Sequence, residues 1–225
     1  MKIAILGTGM VGNAIGTKLV QIGNQVLMGS RTAGSDAGKE WVKSTDGKGR
    51  IGTFADAAVF GEIIFDCTNG ANSIAALRQA GAANIRGKIL IQVSNPLDFS
   101  KGMPPSLTVC NTDSLGEQIQ REFPEARVVK ALNTMNCRVM VEPSLVPGDH
   151  NVLICGNDAA AKAEVTKQLG AWFGWKPGNV IDLGDITGSR GMEMFLPLWL
   201  RLFGMFGDAT FNIQVVRGAV KYRSE

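Results

Sequence analysis

A chain of 225 residues with 45% apolar and 19% charged side chains can close one large α/β domain, or one domain with a small cap, and is too apolar to be a disordered segment. The formal net charge of +3 is mild, and no block of Lys and Arg occurs. Nucleic acid is therefore not the implied partner, although a locally basic pocket for a phosphorylated ligand is compatible with this balance.

Short apolar runs alternate with helical patterns from the first residue. Strands are expected at Ile3–Leu6, Val26–Gly29, Ile63–Cys67, Ile89–Val93, Val128–Leu132, Val152–Cys155 and Val180–Leu183. Runs so continuously apolar suit strands buried on both faces of a sheet. Between the first two, Val11, Ile15, Leu19 and Ile22 share one helical face. Asp158 is placed to cap a later helix carrying Val165, Leu169, Trp172 and Phe173. This alternation predicts a Rossmann-type, doubly wound, mainly parallel α/β sheet. After Leu183 the pattern turns helical, with Pro197 either starting a second helix or kinking the first. A small helical cap is expected there, with the boundary near residue 141, unless the last two strands extend the main sheet.

Met192–Phe206 is strongly apolar, but shorter than a membrane span and interrupted by Glu193 and Arg201. It reads as a buried or dimer-facing helix, and no membrane association is expected. The apolar run after Met1-Lys2 is too short for the core of a signal peptide, so a cytoplasmic location is expected. The four cysteines, Cys67, Cys110, Cys137 and Cys155, form no C-x-x-C pair. They read as buried reduced thiols rather than metal ligands.

Gly7-Thr8-Gly9-Met10-Val11-Gly12 matches G-x-G-x-x-G between a strand and an amphipathic helix, which is the context that gives this pattern meaning. Gly7 permits the tight turn, Gly9 the approach of a pyrophosphate, and Gly12 close helix–strand packing. The helix N-terminus presents N–H groups and a positive dipole end to the anion. Residues 1–140 are thus expected to form a dinucleotide-binding domain, and 141–225 a smaller domain closing the cleft. Strand two ends Met28-Gly29-Ser30-Arg31-Thr32, without the acid that accepts the ribose hydroxyls of NAD. Arg31 can grip the extra phosphate of NADP, with hydroxyl help from Ser30 and Thr32, so NADP is the expected cofactor.

Proton donors are scarce. The sole histidine, His150, lies in Gly148-Asp149-His150-Asn151 and reads as a surface turn. The sole tyrosine, Tyr222, has no lysine following at the spacing that short-chain dehydrogenases use. No zinc-ligand cluster and no Asn-x-x-x-Lys helix occurs. Hydride transfer to an acceptor needing little acid–base help, such as a flavin or deazaflavin, fits this inventory.

Several segments together resemble one family, the NADPH-dependent reductases of the deazaflavin coenzyme F420. They are Gly7–Gly12, Gly29-Ser30-Arg31, Val93-Ser94-Asn95-Pro96-Leu97-Asp98 and Val128-Val129-Lys130-Ala131-Leu132-Asn133-Thr134, then Asp182-Leu183-Gly184-Asp185 and Met192-Glu193-Met194-Phe195-Leu196-Pro197-Leu198-Trp199. The resemblance implies a homodimer that passes hydride between C4 of the nicotinamide and C5 of the deazaflavin. Flavins (FMN, FAD) are the second substrate in similar domains of membrane ferric reductases. It implies that Thr8, Met10 and Val11 line the pyrophosphate and that Ser30 and Arg31 hold the ribose phosphate. Thr68, Asn69, Ser94, Asn95 and Pro96 should border the cofactor, as the rule that ligands lie beyond parallel strand ends also predicts. Asn133 and Thr134 would approach the nicotinamide, with no dedicated catalytic residue, and Pro197 and Leu198 the second ring. Two other readings stay open. One is an imine or carbonyl reductase taking a proton from water, Asp185 or Glu193; the other is a non-catalytic NADP sensor docking through its C-terminal segment.

Overall fold

The computed structural model describes residues 1–218; Tyr222 lies outside them. Ten strands are present among the described residues: β1 (Lys2–Leu6), β2 (Gln25–Ser30), β3 (Arg50–Thr53), β4 (Ile63–Asp66), β5 (Ile89–Gln92), β6 (Leu97–Asp98), β7 (Ser106–Leu107), β8 (Arg127–Ala131), β9 (Val152–Cys155) and β10 (Val180–Asp182). The helices are α1 (Met10–Gln21), α2 (Asp36–Ser44), α3 (Phe54–Phe60), α4 (Gly70–Ala80), α5 (Ala82–Ile85), α6 (Leu115–Glu122), α7 (Cys137–Val141), α8 (Ala159–Phe173), α9 (Ser189–Met194) and α10 (Leu196–Phe206).

Eight strands form one sheet in the order β10-β9-β8-β5-β4-β1-β2-β3, and β6 and β7 make a separate hairpin. Every neighbouring pair in the large sheet is parallel except β8 and β9. The mainly parallel, doubly wound sheet expected from the sequence is thus present, and β9 and β10 continue it beyond residue 141. Chain order reverses between β1 and β4, and such a reversal opens a crevice at the strands' carboxyl ends.

Alternation along each strand divides the core. In β1, Ile3 and Ile5 join the layer containing Ile15 and Leu19 of α1 and Val165, Leu169 and Trp172 of α8. Ala4 and Leu6 face the opposite layer, with Ala57 of α3, Leu77 of α4 and Ile119 of α6. Asp158 caps α8 by accepting from the Ala161 N–H at 2.8 Å, as its position predicts.

Three sequence expectations need correction. β3, which reads Arg-Ile-Gly-Thr, and the two-residue hairpin strands β6 and β7 were not expected, because each is short and only partly buried and carries no apolar run. His150 is not a surface turn residue but is only 5% exposed. Its ring stands edge-on to Trp175, and both ring nitrogens are engaged, by the Pro143 carbonyl at 2.9 Å and the Asn212 amide at 2.8 Å. Among the thiols Cys67 and Cys155 are buried, Cys137 is half-buried and Cys110 is exposed.

Pro197 sits in the first turn of α10 and starts a second helix. Leu196 is the one buried residue of that helix, while Leu198, Phe203, Met205 and Phe206 are exposed. No helix among the described residues is long and apolar enough to cross a membrane.

Candidate active site at the carboxyl ends of the parallel strands

The loop after β1 is built by its glycines. Gly7 has φ +113°, and a Cβ there would meet the Cys67 carbonyl oxygen at 2.7 Å. A Cβ on Gly12 would lie 2.1 Å from the Gly7 carbonyl oxygen, so α1 packs against the loop at a distance only glycine allows. Gly9 differs, since nothing lies within 4 Å of where its Cβ would stand. Its backbone therefore faces open space at the N-terminus of α1, where an anion would be received. Asn13 steadies the loop, its amide donating to the carbonyls of Thr8 (2.9 Å) and Gly9 (3.0 Å).

Two neighbouring cavities share this loop. One, of about 380 Å³, is bounded by Gly7, Thr8, Gly9, Arg31, Thr68 and Asn69, together with Phe54, Asn72 and Gln79. The other, of about 400 Å³, is bounded by Gly7, Thr8, Ser30, Arg31 and Thr32, with Ser35 and Phe54. Arg31 is exposed and takes part in no ion pair among the described residues. No acid stands at the end of β2 to repel a phosphate. Ser30 donates to the Thr32 carbonyl at 2.6 Å and lies 3.2 Å from the Ser35 hydroxyl, which caps α2. The positive end of α2 thus borders the cavity that Arg31 lines.

Met10, Val11, Gly12, Ser94, Asn95, Pro96, Asn133 and Thr134 lie outside these linings. Met10 projects from α1 at 80% exposure, and Gly12 lies underneath the loop. Ser94, Asn95, Asn133 and Thr134 instead belong to the rim formed by the loops after β5 and β8. Asp66, fully buried at the end of β4, anchors that rim. Its carboxylate accepts from the Thr68 hydroxyl (2.6 Å), the Thr68 N–H (3.2 Å), the Ser94 hydroxyl (3.0 Å) and the Ser73 hydroxyl.

Beside it, Asn95 and Asn133 exchange two hydrogen bonds: Asn133 Nδ2 donates to Asn95 Oδ1 at 2.8 Å, and Asn95 Nδ2 to the Asn133 carbonyl at 2.9 Å. Asn133 Nδ2 also donates to the Met192 carbonyl at 3.1 Å. Both amide hydrogens are then used, which fixes the orientation of the side chain. The Asn133 Oδ1 atom is buried and has no donor within the described protein. A buried acceptor left in this state matches a ligand N–H. Leu132, immediately before it, holds φ +66° with its side chain fully buried. That left-handed turn costs a leucine about 1–3 kcal/mol, and it carries Asn133 and Thr134 out of β8 and across the rim.

A dinucleotide fits this arrangement. Among the described residues, open space lies at Gly9, a cation without an ion-pair partner lies beside it, and an acceptor without a donor lies farther along the same strand ends. Sequence reasoning missed Asp66, Asn13, Ser35 and Phe54. Thr53 and Asp56, which form a capping box around the first turn of α3, were the one local signal that could have placed Phe54.

The two acids considered as proton sources are committed elsewhere. Asp185 caps the turn at Ile186–Gly188, and the Thr187 hydroxyl and N–H hold its carboxyl below the usual range. Glu193 is 1% exposed and ion-paired with Lys130 at 2.7 Å.

Comparison with known proteins places the chain among nicotinamide-dependent oxidoreductases. A family model described as NADP oxidoreductase, coenzyme F420-dependent, matches residues 2–96. An F420-dependent NADP reductase of Methanocaldococcus jannaschii is 29% identical over 211 residues, covering 90% of this chain and 92% of that one. An imine reductase of Myxococcus stipitatus in complex with NADP+ shares the fold, with a TM-score of 0.63 at 18% identity over 92% of this chain and 64% of that one. A crystal structure from Arthrobacter sp. FB24, assigned to the F420-dependent NADP reductases, superposes with a TM-score of 0.90 at 51% identity over 96% of this chain and all of that one. The chain belongs to the F420-dependent NADP reductase family.

Proposed function

We propose that this protein binds NADP(H) across the two cavities and exchanges hydride between it and coenzyme F420 or a flavin such as FMN or FAD. The observation that carries the reading is the joint lining of both cavities by Gly7, Thr8 and Arg31. It sets a phosphate cradle and a free guanidinium side by side, with no acid between them. Gly9 and the first turn of α1 receive the pyrophosphate, and Arg31, Ser30, Thr32 and Ser35 the ribose phosphate. Thr68, Asn69, Ser94 and Pro96 border the chain of contacts, and Asn133 Oδ1 accepts from the carboxamide of the nicotinamide.

When bound, the nicotinamide supplies hydride chemistry at C4, and the deazaflavin ring is its counterpart at C5. The chain's own part is positioning. The rim residues are amides and hydroxyls, and the acids behind them are consumed by internal hydrogen bonds. No side chain there is free to deliver a proton, and none is required when the acceptor is a flavin-type ring. Residues 141–218, through α9 and α10, close the far side of the cleft, with Pro197 and Leu198 toward the second ring. The exposed apolar face of α10 fits a homodimer contact. The experiment is NADPH oxidation at 340 nm with F420, FMN and FAD offered separately. Turnover with at least one supports the reading, and silence with all three, alongside tight NADPH binding, removes it.

A further inference from the structure

Behind the rim lies an ion pair that the proposed hydride transfer does not itself use. Lys130, near the end of β8, is completely buried, and its ammonium makes two short hydrogen bonds. One goes to the Ser94 carbonyl and one to Glu193 Oε1, both at 2.7 Å. The Glu193 carboxylate also accepts from the N–H groups of Leu115 (2.9 Å) and Gly116 (3.1 Å), the first residues of α6. Burial pushes the Lys130 ammonium toward deprotonation, and the Glu193 carboxylate opposes it.

A charged pair removed from water is usually no more stable than well-packed apolar residues of the same size. Helix-to-sheet packing alone gives no reason for this one. What it does give is registration of three segments on the rim. Ser94, held by Lys130, directly precedes Asn95, and Met192, whose carbonyl holds Asn133, directly precedes Glu193. Lys130 itself lies three residues before Asn133 on the same strand and turn. Each anchor of the Asn133 amide is thus one residue from an atom that the Lys130–Glu193 pair fixes.

We infer that Lys130 is a positioning residue for hydride transfer. Paired with Glu193, it sets the orientation of the Asn95–Asn133 amides and so the angle at which the nicotinamide ring is held, while contributing little to overall NADPH affinity. The inference rests on the reading of the site given above. Affinity comes chiefly from the phosphate cradle and Arg31, which sit at the other end of the groove. Ring orientation is set locally, and small misplacements of reacting atoms cost rate steeply.

The test is the double variant Lys130→Met/Glu193→Gln, which removes both charges together and leaves neither unpaired. Three quantities are read: NADPH dissociation constant, fluorescence lifetime of bound NADPH with no acceptor present, and kcat and KM with the acceptor that the wild type reduces. The expected result is an NADPH dissociation constant within about threefold of wild type and an unchanged acceptor KM. The bound nicotinamide lifetime should shorten as the ring loosens, and kcat should fall about tenfold or more. Lys130→Met alone leaves the Glu193 carboxylate still accepting from the Leu115 and Gly116 N–H groups and should show the same pattern, a shortened lifetime and lowered kcat with NADPH affinity kept. It also serves if the double variant does not fold. A lifetime and kcat equal to wild type would overturn the inference, as would a loss of kcat matched by an equal loss of NADPH affinity. The lifetime needs no hydride acceptor, so a wild type that reduces neither F420 nor flavin refutes the proposed function while still leaving Lys130 to be judged.

Discussion

The two outer conditions on the phosphate loop, close packing beneath and open space above, can be separated by single methyl groups. In Gly12→Ala the added Cβ would start 2.1 Å from the Gly7 carbonyl oxygen and 3.2 Å from Ile5 Cγ2. Backbone oxygen cannot swing aside as a side chain can, so α1 must move off β1 by on the order of 1 Å, with an overpacking cost of about 3 kcal/mol. Alanine regains about 1 kcal/mol of helix propensity, leaving a net loss of about 2 kcal/mol. For a chain of this size that lowers the melting temperature by about 4–8 °C. Gly9→Ala makes the opposite demand. Its φ of −79° and ψ of −176° suit any L-residue, and the methyl meets no protein atom within 4 Å. Stability should therefore stay within about 0.5–1 kcal/mol, the poorer helix cap offsetting the reduced freedom of the unfolded chain. The methyl instead occupies the path of the pyrophosphate, and NADPH affinity should fall at least about tenfold, or about 1.4 kcal/mol. Thermal scans paired with NADPH fluorescence titrations read both quantities on both variants. Binding by Gly9→Ala within twofold of wild type, or an unchanged melting temperature for Gly12→Ala, would refute the reasoning.

Three further outcomes follow from named contacts. Arg31→Ala should weaken NADPH binding about 10–100-fold and leave NADH binding nearly unchanged, since only the former presents a phosphate to the guanidinium; equal losses in a pair of titrations would remove Arg31 from the phosphate site. Arg121 holds the Asp113 carboxyl down at about 2, and Arg190 lowers that of Glu117. Because these folded values lie below the unfolded ones, the stabilisation is complete above about pH 4.5 and is lost as pH falls from about 4 to 2, with Asp113 contributing about 1 kcal/mol beside its solvent-exposed partner. Denaturant midpoints measured across that range should decline in the wild type and decline less in Asp113→Asn; parallel curves would contradict the assignment. On the proposed dimer, the wild type should sediment as a dimer and Phe206→Asp, on the exposed face of α10, as a monomer; a monomeric wild type would refute the dimer, and an unchanged dimer would place the interface elsewhere.

Legibility in the sequence followed how local each signal was. Six of the seven apolar strands stood out because strands buried on both faces need apolar side chains on both, the seventh, β10, through Val180-Ile181 alone at the sheet edge, and the glycine loop because its spacing is dictated by one turn. β3 did not, since it is only partly buried and Arg50-Ile51-Gly52-Thr53 carries little apolar signal. His150 looked like a turn residue because its burial depends on Trp175 and on Asn212, 62 residues along the chain. Lys130 and Glu193 each lay in a segment that drew attention, but the bond between them spans 63 residues and leaves no trace in either segment alone. Asp66 is a partial case: Thr68 and Ser73 are near it in sequence, but the Ser94 hydroxyl that ties it to the rim comes from 28 residues along the chain. Site chemistry was legible mainly by omission, in the missing acid after β2 and the shortage of proton donors.

The central claim is that hydride passes directly between two bound rings with no protein proton donor between them. Its most direct test is a single turnover on a deazaflavin acceptor with NADPH deuterated at both C4 positions, followed by analysis of the reduced deazaflavin. The account predicts one deuterium per transfer, retained at C5 of the deazaflavin and undiluted by solvent protons, with a primary isotope effect on the transfer step. Deuterium lost to water, or an acceptor reduced without any label, would contradict it.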